Sequence, residues 1–239
     1  MKKLGIIGGL GPMATALFMK MVVEMTDARS DQEHIEMIVY NCPKIPDRTD
    51  YILGKSVQDP APWLIHLGEK LVEEGAELIA IPCITTSYFY EELAAAIDVP
   101  IINIVQETCS YLTERNIHCA GLLATSGTIA SGLFQQAFAA AGCTLVLPDA
   151  ITQEDVMHVI YDNVKANCPI DMPRFERASK YLRDAEAQVI LLGCTELSVV
   201  RENYNIGTGY LDVMQLMAKC AVEYCGRLKA EYAETLMGY

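Results

Sequence analysis

Leu4-Gly5-Ile6-Ile7-Gly8-Gly9 opens the chain, and Ala120-Gly121-Leu122-Leu123-Ala124-Thr125 opens its second half in the same manner. Each run is short, apolar and closed by glycine or a hydroxyl residue, the pattern of a fully buried strand feeding a loop. Each opening is followed by a second apolar run that ends in a cysteine and a threonine. These are Ile79-Ala80-Ile81-Pro82-Cys83-Ile84-Thr85 and Val189-Ile190-Leu191-Leu192-Gly193-Cys194-Thr195. Between them lie Ile35–Tyr40, Leu78–Ile81, Ile101–Ile104 and Thr144–Leu147, which also read as buried strands. Helical faces separate them, as in Trp63, Leu64, Leu67, Leu71 and Val72, or Val156, Val159, Ile160 and Val164. Alternating strands and helices predict parallel sheets with covering helices.

The expected fold is therefore α/β, with two pseudo-symmetric Rossmann-like (flavodoxin-like) lobes and a cleft between them. Residues 1–98 with 207–239 are assigned to the first lobe and 99–206 to the second. Ligands of open parallel sheets bind at the carboxyl ends of the strands, which makes the cleft the expected site.

The chain has 239 residues, 51% of them hydrophobic and 21% charged, within the ordinary globular range. Its net charge of -13 repels phosphate backbones and anionic lipid, so neither nucleic acid nor a membrane surface is an expected partner. Lys2 and Lys3 precede an apolar stretch, but Gly8-Gly9-Leu10-Gly11-Pro12 breaks it too early for a signal peptide. The uncharged span from Asn116 to Pro148 is punctuated by Gly121, Gly127, Gly132 and Gly142, and reads as strand, loop, helix and strand. Nine cysteines include no Cys-x-x-Cys pair, and four histidines show no ligand spacing, so no metal site is expected. Cys42, Cys109, Cys119, Cys143, Cys168, Cys220 and Cys225 read as reduced core thiols of a cytoplasmic protein.

Cys83 and Cys194 stand apart, because each sits where a strand stops and a helix begins. A helix N-terminus favours the thiolate and offers free N–H groups to an anion. Each thiol there is suited to move a proton beside a bound carboxylate. The two sulfurs are expected on opposite sides of a space that admits one small amino acid.

Gly8-Gly9-Leu10-Gly11-Pro12, Pro46-Asp47-Arg48-Thr49, Pro82-Cys83-Ile84-Thr85, Thr125-Ser126-Gly127-Thr128 and Leu192-Gly193-Cys194-Thr195-Glu196-Leu197 occur in an order and spacing that resemble the aspartate/glutamate racemase family, and within it the aspartate branch. The resemblance spans about residues 4 to 200. It implies a racemase that needs no cofactor, in which one cysteine removes the α-proton and the other returns it to the opposite face. It also implies a homodimer acting on an acidic amino acid. Arg48 resembles the position that holds the distal carboxylate, with Lys165 as a second cation. Leu10, Ile84, Thr85, Thr86, Thr125, Thr128, Thr195 and Glu196 fall with them as substrate-binding positions.

Several of these residues have ordinary roles as well: threonines cap helices, Glu196 suits a first helical turn, and Lys165 suits a surface. Two positions depart from the family pattern. Isoleucine stands at Ile84 where asparagine is usual, so Ile84→Asn is expected to improve aspartate turnover, and Asn205 to Gly209 lacks the aspartate expected after the last strand. The same superfamily includes hydantoin racemases, maleate isomerases and decarboxylases. A non-catalytic amino-acid-binding protein on this scaffold is the main alternative from another class. A nucleotide-binding module ranks last, because the Gly8–Pro12 loop fits neither phosphate-loop pattern.

Overall fold

The computed structural model describes residues 1–237. The first sheet holds β1 (Leu4–Gly8), β2 (Met37–Asn41) and β3 (Leu78–Ala80) in the order β2-β1-β3. The second holds β4 (Cys119–Leu123), β5 (Thr144–Val146), β6 (Val189–Leu192) and β7 (Tyr210–Asp212) in the order β5-β4-β6-β7. Every pairing is parallel. The two opening runs of the sequence are thus the central strands β1 and β4, buried on both faces as their unbroken apolar character requires.

Helices α1 (Pro12–Met25), α2 (Arg48–Ile52), α3 (Ala61–Glu73) and α4 (Tyr90–Ala96) follow the strands of the first sheet. Helix α5 (Ile104–Thr113) leads to β4, and α6 (Ser126–Ser131), α7 (Leu133–Ala140), α8 (Ala150–Met157) and α9 (Met172–Asp184) accompany the second sheet. Helices α10 (Thr195–Asn203), α11 (Val213–Cys225) and the short α12 (Glu231–Glu234) complete the chain. The largest apolar cluster runs across the junction of the lobes, joining Phe18 and Val22 of α1, Leu112 of α5, Phe134 of α7 and Met217 of α11. Two further clusters lie on the outer faces, under α3 in the first lobe and under α8 and α9 in the second.

Two strand assignments change. The run Ile101–Ile104 contributes only a single bridge, Ile101 to Ile79, because Asn103 accepts from the Gln106 amide and starts α5. Strand β7 lacked a sequence signal, since a three-residue strand after Gly207-Thr208-Gly209 has no apolar run of its own. It pairs with β6, which moves residues 210–212 from the first lobe into the second sheet. Residues 238 and 239 of that assignment lie outside the described residues. The last residue of β7 is Asp212. The two sheets now match, with Ile101 beside β3 as β7 lies beside β6.

The lobes meet closely at α2 and α6. A Cβ on Gly127 would lie 2.7 Å from Thr49 Cα, so only glycine permits this approach. Gly127→Val is expected to force the helices apart and lower Tm by about 2–10 °C, from about 1–3 kcal/mol of overpacking. An unchanged melting curve would show that the contact is dispensable. Gly9, at φ +92, has its own close approach to the backbone of Cys42.

Candidate active site

Cys83 lies two residues beyond the end of its apolar run, with extended backbone (φ -155), and begins a 3-10 turn over Ile84–Phe89. Cys194 lies in the corresponding place, extended at φ -140, as the N-cap of α10. Both are buried, at 6% exposure each. Cys83 packs within the apolar cluster of the first lobe and Cys194 within that of the second, so neither sulfur stands in the open space expected for an amino acid.

Arg48 is 7% exposed and faces the Cys83 thiol. Its guanidinium donates to the carbonyls of Pro46 (2.9 Å), Ile45 (3.3 Å) and Leu10 (3.3 Å), while Nε has no partner among the described residues. Burial works against its charge, but Cys83 and Asp47 outweigh that and hold it more firmly protonated than usual. Leu10 enters the site through this carbonyl, since its side chain belongs to the apolar cluster of the first lobe.

On the other side the Cys194 thiol donates to Glu196 Oε2 at 2.9 Å, and the Thr195 hydroxyl donates to the same oxygen at 3.3 Å. Glu196 is 4% exposed, so it is a buried partner of the thiol and more than a charge on a helix turn. Burial first, then the Glu196 carboxylate, pushes the Cys194 thiol well above its ordinary value and keeps it protonated. The Gly-rich loop ties the two sides together. Leu10 accepts from Arg48, and a Cβ on Gly11 would lie 3.4 Å from Glu196 Oε1.

Lys165 ends a π-helical segment over His158–Lys165. Its Nζ lies 3.6 Å from Asp47 Oδ2 and 3.9 Å from the centre of the Tyr161 ring. Burial of the ammonium disfavours its charge, yet Glu196, Tyr161, Cys194 and Asp47 together hold it protonated. Its side chain is 25% exposed although the residue as a whole lies at the surface, so the ammonium stem is partly covered at the rim of the lobe. Asp47 entered the sequence reading only as part of the Pro46-Asp47-Arg48-Thr49 motif, and Tyr161 was not singled out. Tyr161 precedes Lys165 by four residues and so shares its helical face, which was an available signal. Its hydroxyl donates to Asp47 across the lobes, at 3.3 Å to Oδ2. Burial opposes the Asp47 carboxylate charge, but the Asp50 amide, Lys165 and Arg48 prevail and hold its pKa below the usual range.

The threonines divide. Thr85 Oγ1 lies 3.1 Å from Thr125 Oγ1 and 2.9 Å from Thr128 Oγ1, and the latter two are 3.1 Å apart. Three buried hydroxyls thereby bridge the lobes. Thr125 also caps α6 by accepting from the Thr128 amide. Thr86 instead donates to the Cys83 carbonyl at 2.5 Å. Ile84, placed among the binding positions, sends its side chain into the central apolar core at 2% exposure. An asparagine there would bury an amide, so Ile84→Asn is expected to cost about 1–3 kcal/mol of stability instead of improving turnover. Chemical denaturation measures this, and an undiminished unfolding free energy would contradict it.

Among the other cysteines Cys109, Cys220 and Cys225 are buried as expected, Cys42, Cys119 and Cys143 are partly exposed, and Cys168 is exposed. Cys168 lies in the loop after the π-helical segment, outside any core. Among the described residues no cluster of three or more His, Cys, Asp or Glu is arranged to hold a metal ion. No described helix is long and apolar enough to cross a membrane.

Two similar α/β lobes, each ending a strand in a cysteine, form the fold of an amino-acid racemase. The sequence model of the Asp/Glu/Hydantoin racemase family matches residues 7–221, and the chain belongs to that family. The broad specificity amino-acid racemase RacX of Bacillus subtilis (strain 168) is 26% identical over 227 residues, covering 92% of this chain and 96% of the relative. Picrophilus torridus aspartate racemase superposes with a TM-score of 0.83 at 29% identity, covering 97% of this chain and 98% of that one. Glutamate racemase from Francisella tularensis subsp. tularensis SCHU S4, solved with D-glutamate, shares the fold at a TM-score of 0.69 and 15% identity, covering 93% and 80%.

Proposed function

We propose that the chain racemises a small amino acid, aspartate first and glutamate second, by two-thiol proton transfer without a cofactor. The observation that carries this reading is the matched placement of Cys83 and Cys194 at equivalent strand ends of the two sheets, with unlike ionic partners. A racemase must remove a proton from one face of the α-carbon and deliver one to the other, and two facing lobes present one base to each. Cys194, hydrogen-bonded to Glu196, rests as the thiol and proton donor. Giving its proton to the α-carbon leaves Cys194 as the thiolate while the opposite thiol keeps the proton it removed, which is the form that takes the other enantiomer.

Arg48 and Lys165 supply positive charge for carboxylate groups, and the Thr85, Thr125 and Thr128 hydroxyls supply donors that can be reassigned to a ligand. Because both thiols are covered, the lobes part to admit substrate, which breaks the Tyr161–Asp47 and threonine contacts. The remaining parts of the reading are a homodimer and a cytoplasmic location, which sedimentation equilibrium and cell fractionation test.

The deciding experiment incubates the purified protein with L-aspartate or L-glutamate in deuterated water, with no added cofactor. Loss of the α-proton signal together with decay of optical rotation is the expected result. Absence of exchange with both acids would remove them as substrates. The same assay with neutral amino acids tests a second reading, favoured by Asp47, which already supplies a carboxylate to Lys165.

A further inference from the structure

Behind Cys194 lies a buried carboxylate with no assigned part in the proton transfer. Strands β6 and β7 pair with Leu192 opposite Asp212, so Asp212 sits beside the strand end that delivers Cys194. Asp212 is 1% exposed. Its Oδ1 accepts from the amides of Met214 (2.9 Å) and Gln215 (3.2 Å), which caps α11. It also accepts from Ser198 Oγ at 2.7 Å.

The cap does not account for the serine. Asparagine or serine would cap α11 as well and bury no charge. The equivalent residue in the first lobe is such a case: Asn103 caps α5 by accepting from Gln106. Ser198 is 1% exposed and stands one helical turn after Cys194 on α10. Burial pushes the Asp212 carboxyl up, and the Ser198 hydroxyl, Arg201 and the two amides oppose that. A side chain of α10 is thus anchored to the neighbouring strand end, one turn from the reactive thiol.

We infer that Asp212 is a positioning residue, which holds the first turns of α10 through Ser198 and thereby fixes the Cys194–Glu196 hydrogen bond. This rests on the proposed function only for its catalytic meaning, since the geometry of Cys194 can be read without turnover. With the anchor cut, α10 gains freedom and Glu196 loses its hold on the thiol proton.

The test is alkylation by iodoacetamide across a pH series, with each cysteine followed by peptide mass spectrometry in wild type, Ser198→Ala and Asp212→Asn. In Ser198→Ala, Cys194 is expected to react about fivefold faster at a given pH, with its midpoint moved down, while Cys83 in the same digest is unchanged. Asp212→Asn retains a cap and is expected to show the same selectivity, which covers the case in which one variant folds poorly. Circular dichroism melting identifies such a variant. Equal acceleration of both cysteines, or of neither, would overturn the positioning role. Racemisation measured alongside separates the two readings: a fall in kcat with KM preserved supports both, whereas selective alkylation with unchanged racemisation upholds the anchor and removes Cys194 as a base.

Discussion

Replacing either Cys83 or Cys194 with alanine is expected to lower racemisation by about 10²–10⁴-fold, the usual contribution of one positioned acid or base. The two variants are not expected to be equivalent. On the two-base reading each variant retains one thiol on one face of the α-carbon, so one of them is expected still to wash the α-proton of a single enantiomer into solvent without inverting it. Proton exchange followed by nuclear magnetic resonance, run separately on L- and D-aspartate beside polarimetry, distinguishes exchange from inversion. Wild-type rates of inversion in both variants would end the two-base reading.

The second large effect is expected at Arg48. Replacement by leucine removes a charge-assisted donor, worth about 1.5–3 kcal/mol, which corresponds to a rise in KM for aspartate of roughly 10–150-fold. It also leaves the carbonyls of Leu10, Ile45 and Pro46 without their partner, so some loss of stability accompanies it. Arg48→Lys separates the two consequences. A lysine keeps the charge but cannot reproduce the planar fork that reaches three carbonyls. If Arg48→Lys melts as early as Arg48→Leu yet binds aspartate tenfold better, charge sets the affinity. Unchanged aspartate kinetics in Arg48→Leu would remove the residue from the binding site.

The places of the two candidate cysteines were legible in the chain because both follow strand ends, and buried parallel strands announce themselves as continuous apolar runs. Leu4–Ile7, Ala120–Ala124 and Val189–Leu192 are of this kind, and they locate both cysteines. Ile101–Ile104 carries the same apolar signal but is cut short by the Asn103 cap, a local contest that hydrophobicity does not record. Strand β7 is too brief to leave any periodicity, and with it Asp212 was lost from view.

Partners contributed by different lobes were the other omission. Thr85 finds Thr125 and Thr128, and Tyr161 finds Asp47, across sequence separations of 40, 43 and 114 residues, where no spacing rule operates. Glu196 was noticed, but its burial against the Cys194 thiol depends on the Gly11 loop lying over it. The direction of the Ile84 side chain was equally hidden, because the residues around it come from both halves of the chain.

The repeated strand order also has a thermodynamic consequence. Mirror-image substrates have equal free energies in solution, so catalysis must give L and D forms identical values of kcat/KM. A chain of L-residues has no mirror plane with which to satisfy this, and its nearest substitute is a rotation that carries one lobe onto the other. That rotation is imperfect in charge, because Arg48 stands by one thiol while Glu196 and Lys165 stand by the other. Any advantage the unequal partners give one enantiomer in binding must be repaid in its turnover, so kcat and KM diverge between the two hands in the same proportion.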